Sequence, residues 1–294
     1  MSDFLDSVSL ASFQQKLQLI RDRTEGVAKR YYTAAYLVGR PGTSKTYTAV
    51  ETLSELGVPH IVRNARMTPM GLFDLLCEHP EHVIVLDDIA TVFNQPIALQ
   101  ILMAALDGDA NKPRLVTYKS KDQDISFPFS GSIIAISNVP LRQDPLAKAV
   151  ASRVVQLEHE PSDEEIAAFM RHLAFKGYKD LTPTQCREVV DFVIQETRSL
   201  DQRLDLRHLS KGYEDRRQWE HGNAATDWRD LVRTSMKKTL CEQSEPISKA
   251  EEIEQQRQKV KEAIRRFPND SRKQMDFCGL GRSTFYARRR ELSC

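Results

Sequence analysis

Cysteine is scarce and scattered: five in 294 residues (Cys77, Cys186, Cys241, Cys278 and Cys294), odd in number and without a C-x-x-C pair. That pattern excludes a disulfide-stapled miniprotein, offers no Cys/His spacing for zinc, and predicts reduced thiols. Long apolar runs are missing as well. The unbroken stretch near Val83–Leu86 is far too short to span a bilayer. The opening MSDFLDSVSL lacks the basic start and apolar segment of a secretion signal. The expected setting is cytoplasmic, with no membrane partner. Repeats and low-complexity tracts are absent, which excludes a collagen-like chain. Net charge is almost absent too: 42 Lys+Arg against 41 Asp+Glu leave +1, which on its face disfavours a bulk nucleic-acid binder.

What is present is the balance of a soluble globular protein, 40% hydrophobic and 28% charged, with length enough for about two domains. Leu10, Phe13, Leu17 and Ile20 lie on one face of a helix expected over residues 9–30. Strands then alternate with helices. Strands are expected at 35–38, 60–62, 83–86, 133–137 and 154–157, and helices at 45–56, 70–78, 97–106 and 145–152. This alternation predicts an α/β fold, a mostly parallel sheet with helices on both faces. Two β segments, 114–120 and 124–129, interrupt it as a hairpin with its tip at Lys121-Asp122-Gln123. After Glu160 the pattern is helical, opened by a capping box at Ser162/Glu165 and a second start at Thr182-Pro183-Thr184-Gln185. Helices near 204–220 and 226–241 follow, then a linker at 242–246. The tail reads as helices near 248–267, 270–277 and 283–292, with a turn at Gly279-Leu280-Gly281.

Gly39-Arg40-Pro41-Gly42-Thr43-Ser44-Lys45-Thr46 follows a strand and opens a helix. A phosphate-binding loop belongs there: successive backbone N–H groups and the helix N-terminus face the phosphates, Lys45 reaches the β/γ-phosphates, and Thr46 places its hydroxyl on Mg²⁺. Ser44 stands where the pattern G-x-x-x-x-G-K-[ST] has glycine. Val83-Ile84-Val85-Leu86-Asp87-Asp88 is an apolar strand ending in two carboxylates. Asp87 suits Mg²⁺ binding, and Asp88 suits orienting an attacking water.

On these motifs the chain resembles the AAA+ ATPases over roughly residues 30–240. GRPGTSKT is similar to their GPPGTGKT-type Walker A, and VIVLDD to their Walker B with Asp88 in place of the commoner Glu, as in bacterial replication initiators. The small non-glycine residue before Lys45 resembles the minichromosome-maintenance helicases. The resemblance implies ATP and Mg²⁺ as ligands and a P-loop NTPase domain over 1–160. It also implies an α-helical lid over 161–242 and assembly into a ring or filament, expected as a hexamer. It assigns Asn138 to the sensor beside the γ-phosphate, Arg153 to an arginine finger acting on a neighbouring subunit, and Arg207 to the lid sensor. Arg142 and Arg203 compete for the last two roles. In helicase-type rings the hairpin points into the pore, which assigns Lys119 and Lys121 to DNA, with Arg114 at the base.

The near-zero charge is a cancellation. From Arg257 onward eleven Lys/Arg face four acids, a balance of +7, so the preceding 256 residues sum to −6. A small basic helical module, 247–294, is the electrostatic footprint of nucleic-acid binding. Its order resembles Fis-type and resolvase-type helix-turn-helix units, with Arg282, Ser283, Thr284 and Tyr286 early on the second helix and Arg288, Arg289 and Arg290 for phosphate. Phe285 and Leu292 are the expected core anchors, because Arg289 stands where leucine is usual. The expected activity is ATP hydrolysis by a motor on single- or double-stranded DNA: a replicative helicase, or a replication initiator or loader, of a phage, plasmid or mobile element. Replication or recombination proteins are further expected partners. The alternatives are a transposition-type regulator ATPase, a DNA-coating scaffold with negligible turnover, and a transcriptional activator ATPase. The G-A-F-T-G-A loop of that last class is absent from the sequence.

Overall fold

Apolar strand segments of four to six residues alternate with helices through residue 158, and the chain follows that pattern into an α/β structure. The computed structural model describes residues 2–64, 66–88, 92–119, 124–141, 144–236, 249–268, 270–278 and 282–291. Contacts divide the chain into two compact units, Met1–Met236 and Lys237–Cys294.

In the first unit α1 (Ser2–Ala28) leads into β1 (Ala34–Val38), α2 (Lys45–Glu55), β2 (His60–Arg63), α3 (Pro69–Glu78), β3 (Val83–Asp87) and α4 (Pro96–Leu106). A hairpin, β4 (Arg114–Lys119) and β5 (Asp124–Phe129), precedes β6 (Ser132–Ser137), α5 (Pro145–Ala151) and β7 (Val155–Glu158). The five strands other than the hairpin form one parallel sheet in the order β2-β3-β6-β1-β7. This architecture is compatible with a P-loop-like fold. Val38 is level with Ser137 and Glu158, and Asp87 with Ile136, so β1, β3, β6 and β7 end along one edge. The sheet order departs from chain order at β1, and the crevice at such a switch point is where open α/β sheets bind ligands.

The central strands β1, β3 and β6 are largely apolar because both of their faces are covered, whereas the edge strands β2 and β7 carry polar residues and are partly exposed. Ala35, Leu37, Val85, Ile134 and Ile136 face one core, and Ala34, Tyr36, Ile84, Leu86, Ile133 and Ala135 the other. The first core continues into α6 (Asp163–Ala174), α7 (Pro183–Ser199), α8 (Leu206–Glu220) and α9 (Trp228–Met236). α1 bridges the change from sheet to helices: Phe13 packs on Phe169 at 4.6 Å between ring centres, and Lys16 pairs with Glu165 at 2.7 Å. α1 begins earlier than its apolar stripe foretold, and Asp6 there bonds Arg171 on α6 at 2.8 Å. Capping boxes form at both Ser162/Glu165 and Thr182/Gln185.

The second unit contains α10 (Lys249–Arg266), α11 (Ser271–Cys278) and α12 (Arg282–Glu291) around Val260, Ala263, Cys278 and Phe285. The linker 242–246, the turn Gly279–Gly281 and Leu292 lie outside the described residues. Among the described residues, no helix is long and apolar enough to cross a membrane.

Candidate functional site

β1 ends at Val38, and the next six residues form a loop before α2 starts at Lys45. Two tertiary packings shape it. A Cβ on Gly39 would overlap the His159 carbonyl, and one on Gly42 would overlap the Asp205 carboxylate. Gly42 has φ 68° and Ser44 has φ 72°, both left-handed. Alternating backbone hands of this kind turn successive N–H groups toward one concavity. For Ser44 the left-handed conformation costs about 1–2 kcal/mol that glycine would not incur.

Lys45 is buried beneath the loop. Its Nζ donates to the carbonyls of Gly39 (2.5 Å) and Arg40 (2.6 Å) and to Asn138 Oδ1 (3.3 Å). Burial pushes its pKa down to about 8, against the pull of Glu160, Asp88 and Asp87, with Arg207 adding to the depression. Thr46 Oγ1 donates to Asp87 Oδ1 at 2.8 Å, and Asn64 Nδ2 reaches the other Asp87 oxygen at 3.4 Å. Asp88 is left-handed at φ 56°, its N–H donates to Ile136 O, and its carboxylate accepts from Asn138 Nδ2 at 2.8 Å. Strain of this kind clusters at sites where function over-determines the backbone. The three parallel strands thus bring Lys45, Thr46, Asp87, Asp88 and Asn138 into one hydrogen-bonded constellation.

This constellation forms one end of a cavity of about 540 Å³. Pro41, Gly42, Thr43 and Ser44 also border it, whereas Gly39 and Arg40 stand outside its wall. Arg40 turns away to Asp163 (2.8 Å) and Pro161 O (3.1 Å), and its N–H donates to Glu160 Oε1 (2.7 Å). The far end is largely apolar, with Phe169 and Leu173 of α6, Leu206 and Leu209 of α8, and Tyr178 stacked on Tyr213 at 4.8 Å, interrupted by Lys176 and Ser210. Arg207 also lines the cavity, and its guanidinium makes no hydrogen bond or ion pair among the described residues. Arg203, its competitor, bonds Asp163 at 3.1 Å beside a separate cleft. Polar residues at one end and an apolar wall at the other suit a ligand with an anionic part and a flat apolar part.

Three contributors carry no local sequence signal. His159 is buried where β7 ends; its Nε2 donates to Thr43 O at 2.9 Å, and burial lowers its pKa, keeping the ring neutral. Glu160 holds the loop's Arg40 N–H, and Asp205 walls Gly42. Each approaches the loop from more than a hundred residues away.

Arg153 is remote from the cavity, just before β7, where Nε pairs with Asp107 at 3.0 Å and Nη1 donates to Ala149 O at 2.7 Å. Arg142 lies outside the described residues. On the hairpin Lys119 is exposed and paired with Asp124 at 2.6 Å, and Lys121 is outside the described residues. Arg114 is buried at the hairpin base, over the Phe129 ring at 5.3 Å and donating to Gly131 O.

In the second unit Thr284 is half-buried, while Tyr286 and Arg290 are exposed. Arg288 bonds Gln256 and Glu291, and Arg289 bonds Ser271 and Gln274. The side chains of Arg282 and Ser283 lie outside the described residues. Among the described residues no three His, Cys, Asp or Glu side chains are grouped to hold a metal by themselves. Compared with known proteins, the chain matches no family model and no curated protein.

Proposed function

We propose that this chain is an ATP-hydrolysing motor of the AAA+ type that acts on DNA as an oligomer, a ring or filament and in the simplest case a hexamer. The roles we favour are replicative helicase, or replication initiator or loader. The observation that carries the reading is the pair of contacts Thr46–Asp87 and Asn138–Asp88, both 2.8 Å, beside a buried Lys45 at the mouth of a half-apolar cavity.

ATP fits that cavity. The loop N–H groups and Lys45 take the phosphates, and the wall of Phe169, Leu173 and the Tyr178/Tyr213 stack takes the base. Magnesium fits through the Thr46 hydroxyl and the Asp87 carboxylate, its remaining ligands coming from phosphate and water as is usual for this ion. Bound there, it neutralises charge on the phosphate oxygens. Asp88 orients the attacking water and Asn138 holds Asp88 in place. Arg207 lends positive charge from α8, which acts as a lid. Arg153 serves a neighbouring subunit, because its own site lies at the other end of the sheet. The second unit, read as a helix-turn-helix, binds DNA through its net positive charge, and Lys119 of the hairpin is a second contact.

ATP hydrolysis measured with and without single- and double-stranded DNA, followed by strand displacement, tests the reading. DNA-stimulated hydrolysis with unwinding selects the helicase. Hydrolysis without unwinding selects a loader or a transposition-type regulator. Unchanged hydrolysis in Lys45→Ala would sink the central assignment. A DNA-coating scaffold with little turnover is the second reading, favoured by the two departures from the motifs, Ser44 in place of glycine and held left-handed at φ 72°, and Asp88, a methylene shorter than the commoner Glu.

A further inference from the structure

We propose that α12 meets duplex DNA with one narrow face, formed by Tyr286, Ala287 and Arg290, and that its neighbouring Arg288 and Arg289 are internal struts. This rests on the DNA-binding reading of the second unit and divides labour among three consecutive arginines that the sequence pattern assigns together to phosphate.

The division follows from helix phase. Phe285 is fully buried among Val260, Ala263 and Cys278 and so fixes which side of α12 faces inward. With 3.6 residues per turn, positions 288 and 289 return to within about 60° of Phe285, whereas 286, 290 and 287 lie about 100°, 140° and 200° away from it. The bonds agree with that phase. Arg288 Nε donates to Gln256 Oε1 of α10 at 3.1 Å, and its Nη1 to Glu291 at 2.6 Å. Glu291 in turn accepts from Arg257 of α10 at 2.9 Å. Arg289 donates to Ser271 Oγ at 3.2 Å and Gln274 Oε1 at 3.4 Å on α11. Gln274 is itself fully buried and bonded to Phe267 O. The two guanidiniums therefore hold α12 against both other helices. Arg290 makes no hydrogen bond or ion pair among the described residues.

The occupant follows from charge and size. Residues 257–294 carry a balance of +7, which calls for a polyanion. A single exposed helix face fits the major groove of B-DNA, about 12 Å wide. Ala287, which flanks Arg290 on the side away from Tyr286, has only a methyl group and permits close approach of the backbone. Tyr286 offers a ring and a hydroxyl. Arg290, one turn later, offers a free fork to a guanine edge or a phosphate.

The test uses the full-length protein, fluorescence anisotropy on a labelled duplex of about two helical turns (~20 base pairs), and a salt series. Arg290→Ala is expected to weaken binding about tenfold or more, and to lower the slope of log affinity against log salt by about 1 if its partner is phosphate. Tyr286→Ala should weaken binding further in the same background. Hydrogen exchange without DNA separates the two roles: Arg288→Gln should loosen α12, and Arg290→Ala should leave its protection unchanged. Wild-type affinity and slope in Arg290→Ala overturn the face assignment, as does weaker binding by Arg288→Gln with α12 exchange unchanged. Arg290-dependent binding that is tighter on single strands or on RNA duplex overturns groove docking. A wild-type protein indifferent to any DNA overturns the DNA reading itself, and the face with it.

Discussion

The Asp205 carboxylate fills the space that a side chain at Gly42 would occupy. The same carboxylate accepts from the Arg207 N–H at 2.7 Å and so caps α8, while the Leu206 N–H donates to Gly42 O at 3.0 Å. One residue thus starts the helix that carries Arg207 and Tyr213 and also presses that helix start onto the loop. On the proposed reading, nucleotide contacts on the loop and on α8 would therefore be coupled through the Gly42–Asp205 contact.

Gly42→Ala should lower nucleotide affinity at least tenfold in a fluorescent-nucleotide titration. Part of that loss should return in Gly42→Ala/Asp205→Gly, since a glycine N-cap costs only a few tenths of a kcal/mol. The remaining deficit reflects the left-handed φ of 68°, which alanine tolerates at a cost of about 1–2 kcal/mol. Strictly additive effects of the two substitutions would show that the contact carries no coupling.

Ser44→Gly should stabilise the first unit. Relief of left-handed strain, about 1–2 kcal/mol, outweighs the extra chain entropy of glycine, roughly 0.5–1 kcal/mol. A net gain of up to about 1.5 kcal/mol corresponds to a rise of up to about 3–6 °C in Tm for a unit of this size. Calorimetry that finds a lower Tm would mean that the serine hydroxyl contributes more than the strain removes.

Lys45 gives binding and stability opposite pH dependences. With its folded pKa pushed down to about 8, polyphosphate affinity should be level below that value and fall above it, by at most about tenfold per pH unit. Between pH 8 and its ordinary value near 10.5 the unfolded chain holds more protons, so this residue's contribution to folding stability rises with pH. Titrations of binding and of unfolding, each compared with Lys45→Ala, separate the two.

His159 acts on the loop from below. Burial depresses its pKa beneath 6.5, so below that pH the unfolded ring takes a proton that the folded ring refuses. Its share of stability is present above 6.5 and is lost as the pH falls toward the folded pKa. Tm followed from about pH 7 to 5 should decline more steeply in the wild type than in His159→Gln, whose amide can still donate to Thr43 O. Identical slopes would exclude His159 from this role.

Arg153 should separate binding from turnover. Val155, two residues on, pairs with Ala35 at the start of β1, whereas Lys45 follows the opposite end of a strand that spans roughly 17 Å. Arg153→Ala should bind nucleotide normally and lose hydrolysis, and mixing it with Lys45→Ala should restore some turnover. Lost binding in Arg153→Ala would place the residue in its own site and refute action on a neighbour.

Much of this was legible in the residues themselves. Apolar strand runs, the capping pairs at Ser162 and Thr182, and the loop before Lys45 are local preferences expressed within a few residues. So is the carboxylate pair closing β3. The +7 tail is a property of composition, readable without a fold. His159 gave no such signal: it reaches Thr43 across 116 residues only because β7 is laid beside β1 by parallel crossover. Asp205 reaches Gly42, and the Tyr178/Tyr213 stack reaches the cavity, through helix packing, and Arg203 and Arg207 part company according to which side of the α8 start each occupies. The three consecutive arginines make the limit plain. Sequence alone determined that the tail is basic and helical and marked Phe285 as an anchor; only the packing of α12 beside α10 and α11 gave Arg288 and Arg289 their partners there and left Arg290 without one among the described residues.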